Sequence, residues 1–256
     1  MKLLLDLGNT RLKAACLSRD GNFGLLGEWR HRGGSMSAVL QEALAAAAGA
    51  SPEEAWCVNV AGAERGAALA DAVRTLAGIP LVFLRARARA CGVRCAYAEP
   101  ARLGADRWAA LLGARGLTRG ACLVADAGSA LTIDAMAAEG EHLGGWILPG
   151  AAMMLEALET RTGDLSGLRL ASGHVEAADF PADTAPAMER GAVLAAAGAI
   201  ATALARLEAR SAGPARLFLT GGDAALLLPE LARAELVPEL VLRGLARAAA
   251  ASPAPA

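Results

Sequence analysis

Short apolar runs separated by Gly, Asn and Asp open the chain. Residues 3–7 form one run, halted at Gly8-Asn9. Residues 12–17 form a second, halted at Asp20-Gly21, and residues 23–29 form a third. Three such runs joined by turn residues predict an antiparallel meander. Beyond it the period of the apolar positions lengthens and alternates. Residues 37–48 predict a helix, 55–60 a buried strand, 65–77 a helix and 81–84 a strand.

The same order then recurs. Residues 121–125 and 131–135 predict strands around the turn Ala127-Gly128-Ser129, and a third strand runs into Gly144-Gly145-Trp146-Ile147-Leu148. Helices are expected at 151–158 and 184–209, a strand at 216–219, a helix from Asp223, a short strand near Leu240 and a terminal helix. The tail, residues 252–256, is expected to fray. Each half opens with a strand ending in Asp-x-Gly, the mark of an internal duplication. The expectation is an α/β chain of two similar domains, residues 1–118 and 119–256. They would face each other across a cleft, with a helix over 102–116 bridging them, and small ligands favour such interfaces.

Composition narrows the class. Of the 256 residues 55% are hydrophobic but only 4% aromatic, so the core is aliphatic and disorder is excluded. Twenty-five Lys and Arg against 26 Asp and Glu leave a net charge of -1, which argues against nucleic acid as a partner. Arg85, Arg87, Arg89 and Arg94 still make a local basic patch. No run of about 18 uninterrupted apolar residues predicts a membrane span. Asp6 breaks the first apolar run too early for a signal peptide. The five cysteines are odd in number, and no His completes a zinc spacing around Cys91 and Cys95. They read as reduced, mostly buried thiols of a cytoplasmic protein. His31, His142 and His174 are isolated and receive no catalytic role. Trp29, Trp56, Trp108 and Trp146 read as core.

Asp6-Leu7-Gly8-Asn9-Thr10 is the first segment with chemistry in it. Gly8 lets backbone approach a phosphate without a Cβ in the way. The amides of Gly8, Asn9 and Thr10 can form an anion-binding concavity. The Thr10 hydroxyl, Arg11 and Lys13 add donors, and Asp6 can hold a hydrated divalent cation. Taken alone, the segment is equally good hairpin chemistry. Its recurrence as Asp126-Ala127-Gly128-Ser129-Ala130 favours two hairpins gripping a nucleotide from both sides. Neither matches a P-loop or a dinucleotide fingerprint. In Gly104-Ala105-Asp106-Arg107, Asp106 is a candidate base for a hydroxyl nucleophile, and Arg107 can hold a carboxylate bidentately. The plainer reading of Asp106 is an acid in a first helical turn, where the macrodipole favours it. Gly144-Gly145-Trp146-Ile147-Leu148-Pro149-Gly150 suits backbone passing close to a ligand. Thr220-Gly221-Gly222-Asp223 suits a nucleotide base or ribose, and ordinary turn chemistry accounts for either segment as well.

In order and spacing these motifs resemble the type III pantothenate kinases, of the sugar-kinase, actin and heat-shock-chaperone superfamily. The likeness spans essentially the whole chain. It also takes in Tyr97-Ala98-Glu99-Pro100, Leu131-Thr132-Ile133-Asp134, His142-Leu143 and Asp183-Thr184. The resemblance implies duplicated ribonuclease H-like (actin-like ATPase) domains, each a mixed sheet with three leading antiparallel strands and flanking helices. It implies ATP-dependent phosphorylation of pantothenate to 4'-phosphopantothenate, the first step of coenzyme A synthesis. Under it Asp6, Leu7, Gly8, Asn9, Thr10, Arg11, Leu12 and Lys13 bind ATP with Mg2+, and Ser129 also contacts ATP. Tyr97, Gly104, Ala105, Asp106, Arg107 and Thr184 bind pantothenate, with Asp106 as general base. Asp126 holds a monovalent cation, K+ or NH4+, and a homodimer completes the pantothenate pocket. Two positions depart from the family pattern: Ser129 stands where Thr is usual, and Asp183 where Asn is frequent. The added charge of Asp183 would weaken binding of an anionic substrate unless Arg190 or another cation offsets it. A non-catalytic accessory factor for transcription is the rival reading of such a chain, but Asp6, Thr10, Asp106 and Asp126 are intact. Another superfamily kinase, acting on a sugar, fits the duplication but fits the Gly104–Trp108 segment less well.

Overall fold

The computed structural model describes residues 1–31, 34–47, 51–161 and 179–252. His174, residue 48 of the first expected helix and residues 253–256 of the tail lie outside them. The chain begins with β1 (Lys2–Leu7), β2 (Arg11–Leu17) and β3 (Phe23–Arg30), then α1 (Met36–Ala46), β4 (Glu54–Asn59), α2 (Ala63–Ala77) and β5 (Leu81–Phe83). The sheet order is β3-β2-β1-β4-β5, antiparallel within the meander and parallel from β1 through β4 to β5. β1 is central and covered on both faces, which explains its unbroken leucines: Leu3, Leu4 and Leu5 are all fully buried. Because side chains alternate along a strand, Leu3, Leu5 and Leu7 share one face. They pack there with Met36, Val39 and Leu40 of α1 and Leu69 and Val73 of α2. A two-residue-per-strand hairpin, β6 (Arg89–Ala90) and β7 (Val93–Arg94), leads to α3 (Ala105–Leu117).

The second half has β8 (Cys122–Ala127), β9 (Ala130–Met136), β10 (His142–Pro149), α4 (Ala151–Arg161), α5 (Thr184–Ser211), β11 (Arg216–Thr220), α6 (Ala224–Leu227) and β12 (Ala234–Leu236). Its sheet runs β10-β9-β8-β11-β12, strand for strand the order of the first. The duplication expected from the sequence is therefore present in the topology. α5 is long and apolar enough, by length and composition, to cross a membrane. One side of it supplies the second core: Val193, Ala197, Ile200 and Leu207 pack with Leu123, Leu217 and Leu219.

The last helix, α7 (Leu240–Ala251), departs from the expected order. Leu240 opens this helix, and the short strand predicted there is β12, four residues earlier in the chain. The chain separates into one compact unit of Met1–Leu117 with the segment from Glu239, and another of Thr118–Pro238. The terminal helix thus belongs to the first unit, and α3 lies wholly within that unit as well. The two helices cross at glycines. A Cβ on Gly244 would lie 1.7 Å from the Ala109 carbonyl oxygen, and one on Gly113 2.4 Å from that of Leu240. Only glycine permits this approach.

Two further expectations change. Trp108 and Trp56 are core, but Trp146 is exposed, with the Arg206 guanidinium 5.5 Å from its ring centre. All five cysteines are free thiols, of which Cys57 and Cys122 are buried and the other three half-buried. Burial pushes the Cys57 thiol pKa well above its ordinary value.

Candidate active site

The first Asp-x-Gly turn joins β1 to β2, with Asp6 opposite Lys13 and Leu7 opposite Leu12. The Gly8 N–H closes the hairpin by donating to the Arg11 carbonyl at 3.0 Å. Of the three amides expected to face an anion, those of Asn9 and Thr10 remain. Arg11 is paired with Glu28, so part of its charge is already balanced. Behind the tip stands a residue that the sequence reading passed over. His31 is completely buried. Its backbone N–H donates to the Thr10 carbonyl at 3.2 Å. Its Nε2 lies 2.8 Å from the Gly8 carbonyl oxygen, and Arg65 of α2 reaches its Nδ1 at 2.7 Å. The signal available in sequence was only a histidine just past the third strand.

The second turn joins β8 to β9, with Asp126 opposite Thr132 and Ala127 opposite Leu131. Gly128 N–H donates to the Ala130 carbonyl at 3.1 Å, so only Ser129 lies between the closing residues. The first hairpin has two residues there, Asn9 and Thr10. Ser129 is exposed, and its carbonyl accepts from the Gly150 N–H at 3.1 Å; the Ala127 carbonyl accepts from Asp223 N–H at 2.9 Å. A Cβ on Gly150 would fall 2.2 Å from the Gly128 oxygen, and one on Gly221 2.2 Å from the Ala127 oxygen. Gly221 also has φ +98°. Gly150 and Gly221 thus approach the backbone of the second hairpin, whereas a Cβ on Gly144 or Gly222 would meet nothing within 4 Å.

Gly8 and Gly128 behave differently. Neither has a positive φ, and a Cβ on either would meet nothing nearer than 3.4 Å and 3.7 Å. The chain itself has room for a side chain at both turns. The packing of the chain therefore does not itself demand glycine at either position.

The third cluster gathers at the start of α3. Asp106 lies in its first turn, and Oδ1 accepts from the Arg107 N–H at 2.8 Å. A Cβ on Gly104 would fall 2.6 Å from that Oδ1, so Gly104 leaves the space the carboxylate occupies. Arg107 is 6% exposed and donates to the Tyr97 hydroxyl at 3.1 Å. Tyr97, Gly104, Asp106 and Arg107 are therefore neighbours, as the sequence reading required. A cavity of about 610 Å³ in the same unit borders this cluster, lined by Asn59, Phe83, Arg85, Arg102, Gly104 and Ala105 among others. Two exposed arginines of the basic stretch and its surroundings thus face a cavity. Thr184, in the other unit, is exposed at the first position of α5, where Asp183 accepts its N–H at 2.6 Å. Asp183 is the N-cap of that helix, which gives this departure from the family pattern a structural role. Arg190 is ion-paired with Glu230 rather than reserved for Asp183.

The family model for type III pantothenate kinases matches residues 2–206, a stretch holding both hairpins, the Asp106 cluster and Thr184. The chain belongs to the type III pantothenate kinase family. A type III pantothenate kinase from Azoarcus sp. (strain BH72) is 43% identical over 99% of this chain and 92% of its own length. One from Chromobacterium violaceum is 42% identical over 97% and 99%. Solved structures agree at the level of fold. A candidate 2-dehydro-3-deoxygalactonokinase from Sinorhizobium meliloti superposes with a TM-score of 0.55 at 18% identity, covering 97% of this chain and 98% of that one. Component A of (R)-2-hydroxyglutaryl-CoA dehydratase from Acidaminococcus fermentans gives 0.52 at 15%, covering 97% and 96%. The duplicated mixed sheets of this pantothenate kinase family member are those of the actin-like ATPase fold.

Proposed function

We propose that the protein transfers the γ-phosphoryl group of ATP to the primary hydroxyl of pantothenate, the first step of coenzyme A synthesis, in the cytoplasm. The observation that carries this reading is the pair of Asp-x-Gly hairpins whose glycines the chain's own packing does not require. Residues 6–13 take the ATP phosphates, and Ser129 adds a contact from the second hairpin. Single carboxylates at the strand ends suit metals held largely by phosphate oxygens and water. Asp6 would hold Mg2+, which neutralises charge on the transferring group, and Asp126 would hold K+ or NH4+. Asp106 accepts the hydroxyl proton as that oxygen attacks phosphorus and ADP leaves. Arg107 takes the pantothenate carboxylate, with Tyr97, Gly104, Ala105 and Thr184 fixing the rest. Catalysis of this kind rests on positioning and electrostatics.

A homodimer completes the pocket in this reading. Residues 192–205 carry no charge. Val193, Ala196, Ala197 and Ile200 are buried, yet Leu194 is 42% exposed, as is Ile147 of β10 at 64%. Apolar surface of this kind is expected to be covered by a second copy.

Activity with ATP and pantothenate, and none with ATP and common sugars, is the expected result of a coupled assay. Asp106→Asn is expected to lower kcat by about 10²–10⁴-fold without changing the melting temperature. Unchanged turnover in the folded variant removes Asp106 from the role. Turnover is also expected to require K+ or NH4+, and Asp126→Ala to abolish most activity along with that requirement. Full parent activity in sodium-only buffer counts against the cation site.

A further inference from the structure

We propose that His31 and Arg65 form a positioning pair that sets the first hairpin in its phosphate-binding shape before ATP arrives. The inference rests on the reading that residues 6–13 take the ATP phosphates.

Arginine has only donors, so its contact at 2.7 Å requires a lone pair on His31 Nδ1. The imidazole is then neutral with its proton on Nε2, which donates to the Gly8 carbonyl at 2.8 Å. Arg65 therefore selects the tautomer that can hold Gly8. His31 is fully buried, so water does not stand in for this donor. The consequence reaches the tip through one planar peptide. In a trans peptide the carbonyl oxygen and the next residue's N–H point in opposite directions. Tying the Gly8 oxygen back to His31 turns the Asn9 N–H away from it, outward from the hairpin. The His31 backbone N–H holds Thr10 from the same side. With the Gly8 N–H engaged by Arg11, the Asn9 amide is one of two left for a phosphate, and its direction is set by His31. The second hairpin is braced by the amides of Gly150 and Asp223 instead, so this device belongs to the first.

The test uses the full chain and three variants, H31L, H31Q and R65M. It measures KM for ATP, KM for pantothenate, kcat, melting temperature, and amide exchange of residues 6–13 with and without ATP. H31L removes the donor to Gly8 and is expected to raise KM for ATP about tenfold, the scale of one lost buried hydrogen bond. KM for pantothenate should stay within about twofold. H31Q offers an amide that can donate to Gly8 and accept from Arg65, and is expected to recover most of the loss. R65M frees the tautomer and is expected to raise KM for ATP about threefold. A destabilised but uncommitted hairpin would lower kcat and both affinities together, with no rescue by Gln. If H31L does not fold, R65M and H31Q decide on the same readout. Unchanged KM for ATP in folded R65M and H31L overturns the pair while leaving the ATP reading intact. If ATP fails to slow exchange of residues 6–13 in the parent protein, both fall.

Discussion

The two hairpins occupy the same place in sheets of the same strand order, yet they are braced by different means. The first is held by polar side chains, His31 and Arg65, reaching in from β3's end and α2. The second is held by backbone amides from Gly150 and Asp223, with Gly150 and Gly221 pressed against it. A side-chain brace tolerates small changes of shape, whereas this backbone brace, where an added Cβ would fall 2.2 Å from a carbonyl oxygen, tolerates no added atom. Duplicated folds can thus keep a motif's position while its dependence on particular neighbours diverges. Glycine also differs between positions: at 150 and 221 it makes room for neighbouring backbone, whereas at 8 and 128 the chain's own packing does not require it.

The largest effect is expected where that distinction is sharpest. Gly221→Ala puts a Cβ against the Ala127 carbonyl at a positive φ, and should destabilise the second unit by about 3 kcal/mol or more. Thermal unfolding followed by circular dichroism measures this; a melting temperature equal to the parent's would show that the second hairpin yields as easily as the first. Next come Gly8→Ala and Gly128→Ala. Both should change stability by no more than about 0.5 kcal/mol while lowering kcat/KM for ATP about 10²-fold. If either destabilises the fold as Gly221→Ala does, the two classes of glycine merge. The smallest effect concerns acid. Glu208 in the second unit is held below the usual carboxylate range by the Arg233 hydrogen bond first, then by the Ala215 N–H. Glu235 is lowered likewise by Arg216. Carboxylates lowered in the folded state stabilise it above the ordinary glutamate range, and that support fades as pH falls through the folded values. Amide exchange around β11 and β12 should therefore quicken first on acidification. Arg233→Met should flatten that dependence only slightly, because solvent screens so exposed a pair.

Much of this was readable from residues alone. The strand-turn-strand openings were legible because leucine runs and Asp-x-Gly turns are local signals, and their recurrence disclosed the duplicated sheet order. Asp106 and Arg107 were legible as neighbours at the start of one helix, while Tyr97 joined them only through the family resemblance. The roles of His31 and Arg65 were not, since 34 residues separate them and neither carries a motif. Gly150 and Gly221 were noticed as glycines, but which neighbour they approach depends on pairing between distant strands. Trp146 looked like core because size and apolarity do not say which face of β10 is covered. The membership of α7 was illegible for the same reason: its amphipathic pattern names an apolar face without naming what covers it.

That helix has a consequence for how the protein is made. Residues 118–238 leave the ribosome before α7 does, and they already include every strand of the second sheet. The first unit, begun at residue 1, still lacks the helix that crosses α3 at Gly113 and Gly244. The half that is synthesised second can therefore finish folding first, while the earlier half waits with part of its apolar surface uncovered. Protection by a chaperone would matter most for the segment translated earliest. A premature stop anywhere between Pro238 and Gly244 would damage the unit built from residues 1–117.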